Sequence, residues 1–277
     1  MTLPGPIHLL PTLFISHGGG PWPWMEWGPV NPFASLAIYL RSIPASLSAR
    51  PRAILMISAH WEEDAFTIMT NPKPPMLYDY EGFPKHTYQV RYEAPGSPEL
   101  AKRVQELLSA AGIRSKDDAK RGFDHGVFAP LAVSHPDADV PVVQLSLKAG
   151  YDPDEHLAVG RALMPLRSEG ILIIGSGLSY HNLRGMRGKT VTVDSKAFDA
   201  WLTEAVCCLD ATERNQRLLR WADAPAARRA HPEEDHLIPL MVAAGAGGDD
   251  QGVKVFSDQT SLGNGFQAFE VSGFQFG

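Results

Sequence analysis

Three of the ten histidines in the sequence stand shortly after apolar segments that are typical of buried strands. The segments and the histidines that follow them are residues 12–16 with His17, residues 53–58 with His60, and residues 171–175 with His181. In an open α/β sheet, ligands bind in the crevice beyond the carboxyl ends of parallel strands. We therefore expect the three imidazoles to converge on one site.

These residue types suit a transition-metal site better than other kinds of catalytic site. Neutral imidazole binds Fe(II), Zn(II), Cu(II) or Ni(II), whereas Ca²⁺ and Mg²⁺ prefer oxygen ligands. Histidine ligands that leave coordination positions open allow O₂ to be activated at iron or water at zinc, and further imidazoles can carry protons. The sequence has no G-x-S-x-G, P-loop, H-E-x-x-H or C-x-x-C motif, and no G-x-G-x-x-G opens a helix.

Two further histidines have a sequence context that suggests function. His125 lies in the glycine-bounded sequence G-F-D-H-G, and His236 closes the sequence H-P-E-E-D-H. We predict a helix that begins near Pro232, on which His236 shares a face with Leu240, so that its imidazole points inward. The carboxylates between the two histidines of this sequence are explained by the positive end of the helix dipole.

The remaining histidines are weaker candidates. His231 lies outside the predicted helix. His135 precedes a proline in a turn-like stretch, and His156 lies in the first turn of a predicted helix. We expect both His135 and His156 to be surface residues.

Apolar strands alternate with amphipathic helices along the chain, a pattern typical of an α/β fold. We predict strands at residues 12–16, 53–58, 66–70, 87–92, 140–147, 171–175, 253–257 and 268–274. We predict helices at residues 32–48, 98–111, 154–169 and 195–209, besides the one near Pro232. With no repeat or long linker, residues 1–277 are expected to form a single catalytic domain. Its central sheet should be mixed and mainly parallel, with helices on both faces.

Composition and charge narrow the class of partner. The chain has 277 residues, a formal net charge of −6 and no long basic run, which argues against binding to nucleic acid or to an anionic membrane. The only cysteines, Cys207 and Cys208, are adjacent, a pair that rarely forms a disulfide. No Lys or Arg precedes Arg41, so the basic start of a signal peptide is missing. We expect a cytoplasmic protein that acts on small molecules.

Five short motifs, taken in order, resemble one known family. They are S-H-G-G-G-P at 16–21, S-A-H-W at 58–61, G-F-D-H-G at 122–126, H-N-L at 181–183 and D-H-L-I-P-L at 235–240. Together they resemble the class III extradiol ring-cleavage dioxygenases of the LigB superfamily, in the DOPA-4,5-dioxygenase-like branch. The intervening Y-x-A-P-G-S-P at 92–98 is similar to that branch as well.

The resemblance implies an α/β fold with a mixed sheet and a non-haem Fe(II) that binds a catechol through both hydroxyl oxygens. O₂ is then inserted, and the ring opens beside the hydroxyls. By the same resemblance, His17 and His60 match two metal-binding histidines, and His236 matches the third ligand. His181 matches a histidine with an acid–base role, and His125 matches one that contacts the substrate or supports the metal ligands.

The third ligand and the metal leave alternatives open. Protocatechuate-cleaving members of the family have a glutamate where this chain has His236, and Glu233 and Glu234 lie close by in sequence. Three imidazoles also suit Zn(II), so a zinc-dependent amide or ester hydrolase with Glu234 or His181 as base is the main alternative. A non-catalytic relative that binds a ligand is the other. The aromatic residues expected to line the pocket are Trp22, Trp24, Tyr78, Tyr80, Phe128 and Tyr180.

Overall fold

The apolar runs of the sequence form the middle of one eight-stranded sheet. The computed structural model describes residues 9–263 and 265–277. In chain order the strands are β1 (Thr12–Ser16), β2 (Ala53–Glu63), β3 (Phe66–Met69), β4 (Ser115–Asp118), β5 (Val142–Lys148), β6 (Ile171–Gly177), β7 (Gly252–Thr260) and β8 (Phe269–Phe276). They lie side by side in the order β4-β3-β5-β2-β6-β1-β8-β7.

The centre of the sheet is parallel and its margins are mixed. Strands β5, β2, β6 and β1 are parallel neighbours, while β8 pairs antiparallel with both β1 and β7, and β3 pairs antiparallel with β5. Every residue of β1 and β6 is buried, so both faces of the sheet are covered. This confirms the predicted α/β fold with a mixed, mainly parallel sheet.

The described residues form eight α-helices, most of which pack on the sheet. They are α1 (Ala34–Ser46), α2 (Pro98–Ala110), α3 (His125–Ser134), α4 (Pro153–Leu163), α5 (Val191–Val206), α6 (Ala211–Leu219), α7 (Ala227–Ala230) and α8 (Pro239–Gly247). Helix α8 is buried along its whole length and packs on β6, β1 and α4. None of the helices within the described ranges has the length and apolarity needed to span a membrane. Both cysteines are free, as expected.

Two predicted elements are wrong. Residues 87–92 do not form a strand, because Lys85–Gln89 is a 3₁₀ helix in which the hydroxyl and N–H of Thr87 both donate to the Pro84 carbonyl. The last helix begins at Pro239 and not near Pro232; a proline suits the first helical position, and here Pro239 occupies it. Strand β4 and helices α6 and α7 were not predicted.

The expectation that His135 and His156 lie at the surface is wrong as well. Their exposed fractions are 8% and 0%. The His156 ring is held from both sides: Nδ1–H donates to the Asp152 carbonyl at 2.7 Å, and the Lys148 N–H donates to Nε2 at 3.2 Å. Because Nε2 accepts, the buried ring must be neutral.

This buried ring predicts a loss of stability in acid. Burial lowers the pKa of His156 from 6.5 to about 4, whereas the unfolded chain takes up a proton near 6.5. Above pH 6.5, the ring is neutral in the folded and the unfolded chain, and its contribution to stability is fully present. As the pH falls from 6.5 towards 4, only the unfolded chain takes up the proton, so the free energy of unfolding falls by roughly 1.4 kcal/mol per pH unit. Urea unfolding of the wild type and His156→Gln at several pH values should show a shallower acid slope in the variant. The exposed His86→Ala should keep the wild-type slope, and equal slopes in all three proteins would contradict the prediction.

Candidate metal centre

Five histidines meet at the carboxyl ends of the central strands. One ring nitrogen from each of His17, His60 and His236 lies within 4.8 Å of the others. His125 and His181 flank this group, with ring centroids 3.9 Å from His60 and 3.4 Å from His236 respectively. The structure thus brings all five residues singled out in the sequence into one cluster.

His17 is placed by the end of β1 and the glycine turn that follows. Its N–H donates to the Gly177 carbonyl at 3.1 Å, and its own carbonyl accepts from the Trp22 indole at 2.8 Å. Gly18 and Gly20 have φ values of 80° and 53°, a left-handed conformation that glycine adopts without strain. The turn therefore reverses the chain immediately beyond the imidazole.

His60 lies within β2 and not after it, since the strand continues to Glu63. The register of β2 against β5 shifts between Ile57 and Glu62, and this irregularity turns the strand next to the site. The Arg121 guanidinium donates to the His60 carbonyl at 3.2 Å. The His60 N–H donates to the Ser58 hydroxyl at 3.2 Å, so one cation and one hydroxyl hold this residue where strand pairing is interrupted.

His236 reaches the cluster from the turn that precedes α8. Its imidazole is 3% exposed, as expected, although the reason is not a shared helix face with Leu240. The Leu178 N–H donates to the His236 carbonyl at 3.0 Å. A Cβ at Gly177 would lie 2.1 Å from the same carbonyl oxygen, so only glycine permits this approach.

This contact predicts that Gly177→Ala displaces His236. The added methyl group must push the 236–239 turn away from β6, so we expect a loss of metal affinity of about 10-fold to 100-fold, comparable to losing a residue that orients a ligand. Gly28→Ala is the matched control, because nothing lies within 4 Å of a Cβ built there. Competitive chelator titrations of the two variants measure the effect; equal metal affinities would show that the turn does not position the ligand.

Three ring nitrogens of the cluster lack the partners that buried polar atoms normally have. Within the described residues, both ring nitrogens of His17 and Nε2 of His60 are buried without a hydrogen-bond partner. Burial, with the neighbouring histidines, lowers the pKa of the His17, His60 and His236 imidazoles well below the usual value. The rings are therefore neutral at pH 7 and present free lone pairs, which is the donor set that a divalent transition metal takes.

Two carboxylates, which the sequence reading did not assign to the site, orient the cluster. Asp79 accepts the backbone N–H of His125 and contacts its Nδ1, both at 2.9 Å, and its Oδ2 lies 3.7 Å from Nδ1 of His60. Asp235 lies 2.7 Å from Nδ1 of His236 and 3.9 Å from Nδ1 of His181. Each carboxylate thus faces Nδ1 of one predicted metal ligand and of one further histidine.

The neighbouring acidic residues have other partners. Asp124 is buried and accepts from Ser58, Gln144 and Arg121, so it anchors the start of α3 instead of orienting His125. The helix-dipole explanation of the carboxylates before His236 is wrong, because the helix starts after them. Glu234 pairs with Arg228 at 2.6 Å, and Glu233 is exposed.

His181 and His231 differ in their access to the cluster. The His181 ring stacks on His236, and burial lowers its pKa while Asp235 opposes the shift. His231 is fully buried, and its Nε2 lies 3.0 Å from the Ser179 carbonyl. His231 has the role of a core residue.

A cavity of about 470 Å³ opens onto the five histidines. Of the six aromatic residues expected to line it, only Tyr80 does so, and Trp22 and Trp24 line a different pocket. The aromatic rings that do line the cavity are Trp27, Phe33, Tyr80, Phe83 and Phe269. This volume is of the size that holds a small ligand.

The fold and the cluster define an α/β protein whose histidines offer the donor set of a metal site, and comparisons with known proteins identify its family. The model of the family described as the catalytic LigB subunit of aromatic ring-opening dioxygenase matches residues 14–268. The chain belongs to this family and is an extradiol ring-cleaving dioxygenase, which confirms the resemblance seen in the motifs. The family implies a metal cofactor, an aromatic substrate and O₂.

This chain aligns with its relatives over most of their length. The chain is 42% identical over 243 residues to the 4,5-DOPA dioxygenase extradiol of Beta vulgaris, covering 86% of this chain and 87% of that protein. It is 38% identical over 269 residues to the dioxygenase tasH of Hapsidospora irregularis, covering 91% and 82%. A solved structure of an uncharacterized protein from Escherichia coli K12 is 27% identical and superposes with a TM-score of 0.76, covering 97% of this chain and all of that one.

Proposed function

We propose that residues 1–277 form one catalytic domain that opens a catechol-type ring at a metal held by His17, His60 and His236. The observation that carries this assignment is His17, a buried ring with neither nitrogen bonded to a described residue and with two further neutral imidazoles beside it. A buried ring without partners costs folding free energy unless a ligand compensates it. A metal ion is the ligand that this donor set fits.

Fe(II) is the metal we expect for activity, and Zn(II) can occupy the same three imidazoles. Open coordination positions beside histidine ligands are typical of non-haem iron sites that handle O₂. Held by His17, His60 and His236, Fe(II) would supply Lewis-acid chemistry towards the catechol and redox chemistry towards O₂. The reaction consumes one catechol and one O₂, breaks the ring bond beside the hydroxyl-bearing carbons and retains both oxygen atoms in the product.

His181 is the proposed acid–base residue. It lies at the edge of the cluster and lines the cavity, so a catechol hydroxyl bound at the centre lies beside its ring. Because burial keeps this imidazole neutral at pH 7, it can accept the hydroxyl proton and return it as the ring opens. Asp235, which faces Nδ1 of His181, stabilises the positive charge that the ring then carries.

His125 is proposed to stabilise negative charge on the substrate. Its Nδ1 is bonded to Asp79, which leaves Nε2 free towards the cavity that both residues line. With a proton on both nitrogens, the ring donates Nδ1–H to Asp79 and can donate Nε2–H to an oxygen that becomes negative during the reaction.

Anaerobic loading with Fe(II) followed by a screen of catechols in an oxygen electrode tests this proposal. We expect one O₂ consumed per catechol and a yellow ring-opened product. Metal-dependent hydrolysis of an ester or amide without O₂ uptake would instead support the hydrolase alternative. Glu234, one of the two bases of this alternative, is paired with Arg228 at 2.6 Å and does not line the cavity.

A further inference from the structure

Apart from the five histidines, the walls of the cavity are mainly apolar. These walls are built from well-buried side chains of α1, of the segment after β6 and of β8. They are Leu36, Leu178, Met186, Phe269 and Val271, and each is less than one-tenth exposed. Leu183 also lines the cavity and is 62% exposed, which puts it at the opening.

No cation lines this cavity in the part of the chain that the structure describes. The arginines nearest in sequence to its lining, Arg184 and Arg187, are both exposed, and Arg187 lies over the Phe266 ring at 4.8 Å. A carboxylate on the substrate therefore has no counter-charge among these walls.

An ammonium group would have to share its acidic partner in the described lining with His125. That partner is Asp79, whose Oδ1 accepts the backbone N–H of His125 and whose Oδ2 lies 2.9 Å from Nδ1 of the same residue. A second negative charge near Asp79 is repelled, and a positive charge has to compete with His125. A buried charge without a partner loses hydration that nothing replaces.

We infer that the natural substrate of this chain is a catechol whose ring substituent is uncharged and apolar. The substituent contacts Leu178, Met186 and Val271, and the two hydroxyl groups face the histidines. This inference rests on the proposed function of the site. The substrate preference inferred for this chain differs from that of the relatives named for DOPA. The side chain of DOPA carries both a carboxylate and an ammonium group.

Matched ligands test the inference without turnover. Calorimetric titration of the Zn(II)-loaded protein under anaerobic conditions would compare catechol, 4-propylcatechol, 3-(3,4-dihydroxyphenyl)propionate, dopamine and DOPA. Each methylene buried against the walls is expected to tighten binding roughly threefold to fourfold. The charged ligands should bind about 10²-fold more weakly than 4-propylcatechol. Equal or tighter binding of the propionate or of DOPA would overturn the inference.

A pair of variants gives an independent readout. Leu183→Arg places a cation at the opening and is expected to tighten binding of the propionate about tenfold while weakening that of 4-propylcatechol. Leu209→Arg is the matched control, because Leu209 is 80% exposed and does not line the cavity. No gain for the propionate in Leu183→Arg would contradict the view that the missing cation sets the preference.

Turnover by the Fe(II)-loaded protein separates this inference from the function on which it rests. Cleavage of unsubstituted catechol with no preference for the propyl over the propionate compound would overturn the inference and leave the function intact. The absence of cleavage with every catechol would remove both.

Discussion

Replacing His236 with alanine is expected to lower metal affinity by about 10²-fold or more and to abolish ring cleavage, while the fold survives. One of three neutral ligands disappears, and even residues that only orient a metal ligand are worth about 10-fold to 100-fold in affinity. The turn that carries His236 is fixed by backbone contacts of its carbonyl, which alanine keeps. Metal content after dialysis and circular dichroism measure the two parts of the prediction.

The matched control is His86→Ala, which removes an exposed imidazole outside the cluster and should leave metal content unchanged. Full metal occupancy in His236→Ala would contradict the assignment and transfer the third position to a carboxylate. Glu233 and Glu234 are the alternatives that the sequence suggests. Of the two, Glu234 is held by Arg228 and would have to break that pair.

Replacing His181 with alanine is expected to leave the metal in place and to lower kcat by roughly 10²-fold to 10⁴-fold, the usual contribution of a general acid–base group. The KM should change little, because the apolar walls that bind the substituent are untouched. His181→Gln should be impaired to a similar degree, since an amide retains polarity but cannot take up the proton. Steady-state kinetics with metal analysis on the same samples measure both effects.

Loss of metal in His181→Ala would assign this residue as a fourth ligand. The His181 ring stacks on that of His236 with centroids 3.4 Å apart. Because it lies this close to a proposed ligand, a role as fourth ligand is the main alternative to the acid–base role. A variant with full metal and unchanged kcat would remove His181 from the mechanism and leave His125 as the remaining histidine able to transfer a proton.

The histidines of the central strands could be predicted because topology alone brings them together. His17 and His60 are carried by parallel strands on either side of β6, so their proximity follows once the strands are recognised. The place of His236 was predicted for a wrong reason. Its inward position comes from the contact of its carbonyl with β6, and a missing Cβ at Gly177 leaves no periodic pattern in the sequence.

The carboxylates could not be found from sequence spacing. Asp79 meets His125 across 46 residues of chain, in a loop with aromatic neighbours but no metal-ligand spacing. Asp235 was visible beside His236, yet the mistaken helix start gave its charge another explanation. The aromatic residues that line the cavity could not be predicted from sequence spacing either, because the aromatic residues nearest the motifs in sequence pack elsewhere.

The position of the metal tests the three proposed ligands most directly. Anomalous diffraction at the iron edge, from crystals loaded anaerobically with Fe(II), would locate it among three clusters that the structure offers. One peak is expected, at about 2.0 to 2.2 Å from a ring nitrogen of each of His17, His60 and His236. A peak bound instead between His60, Asp79 and His125, or between His181, Asp235 and His236, would contradict this assignment.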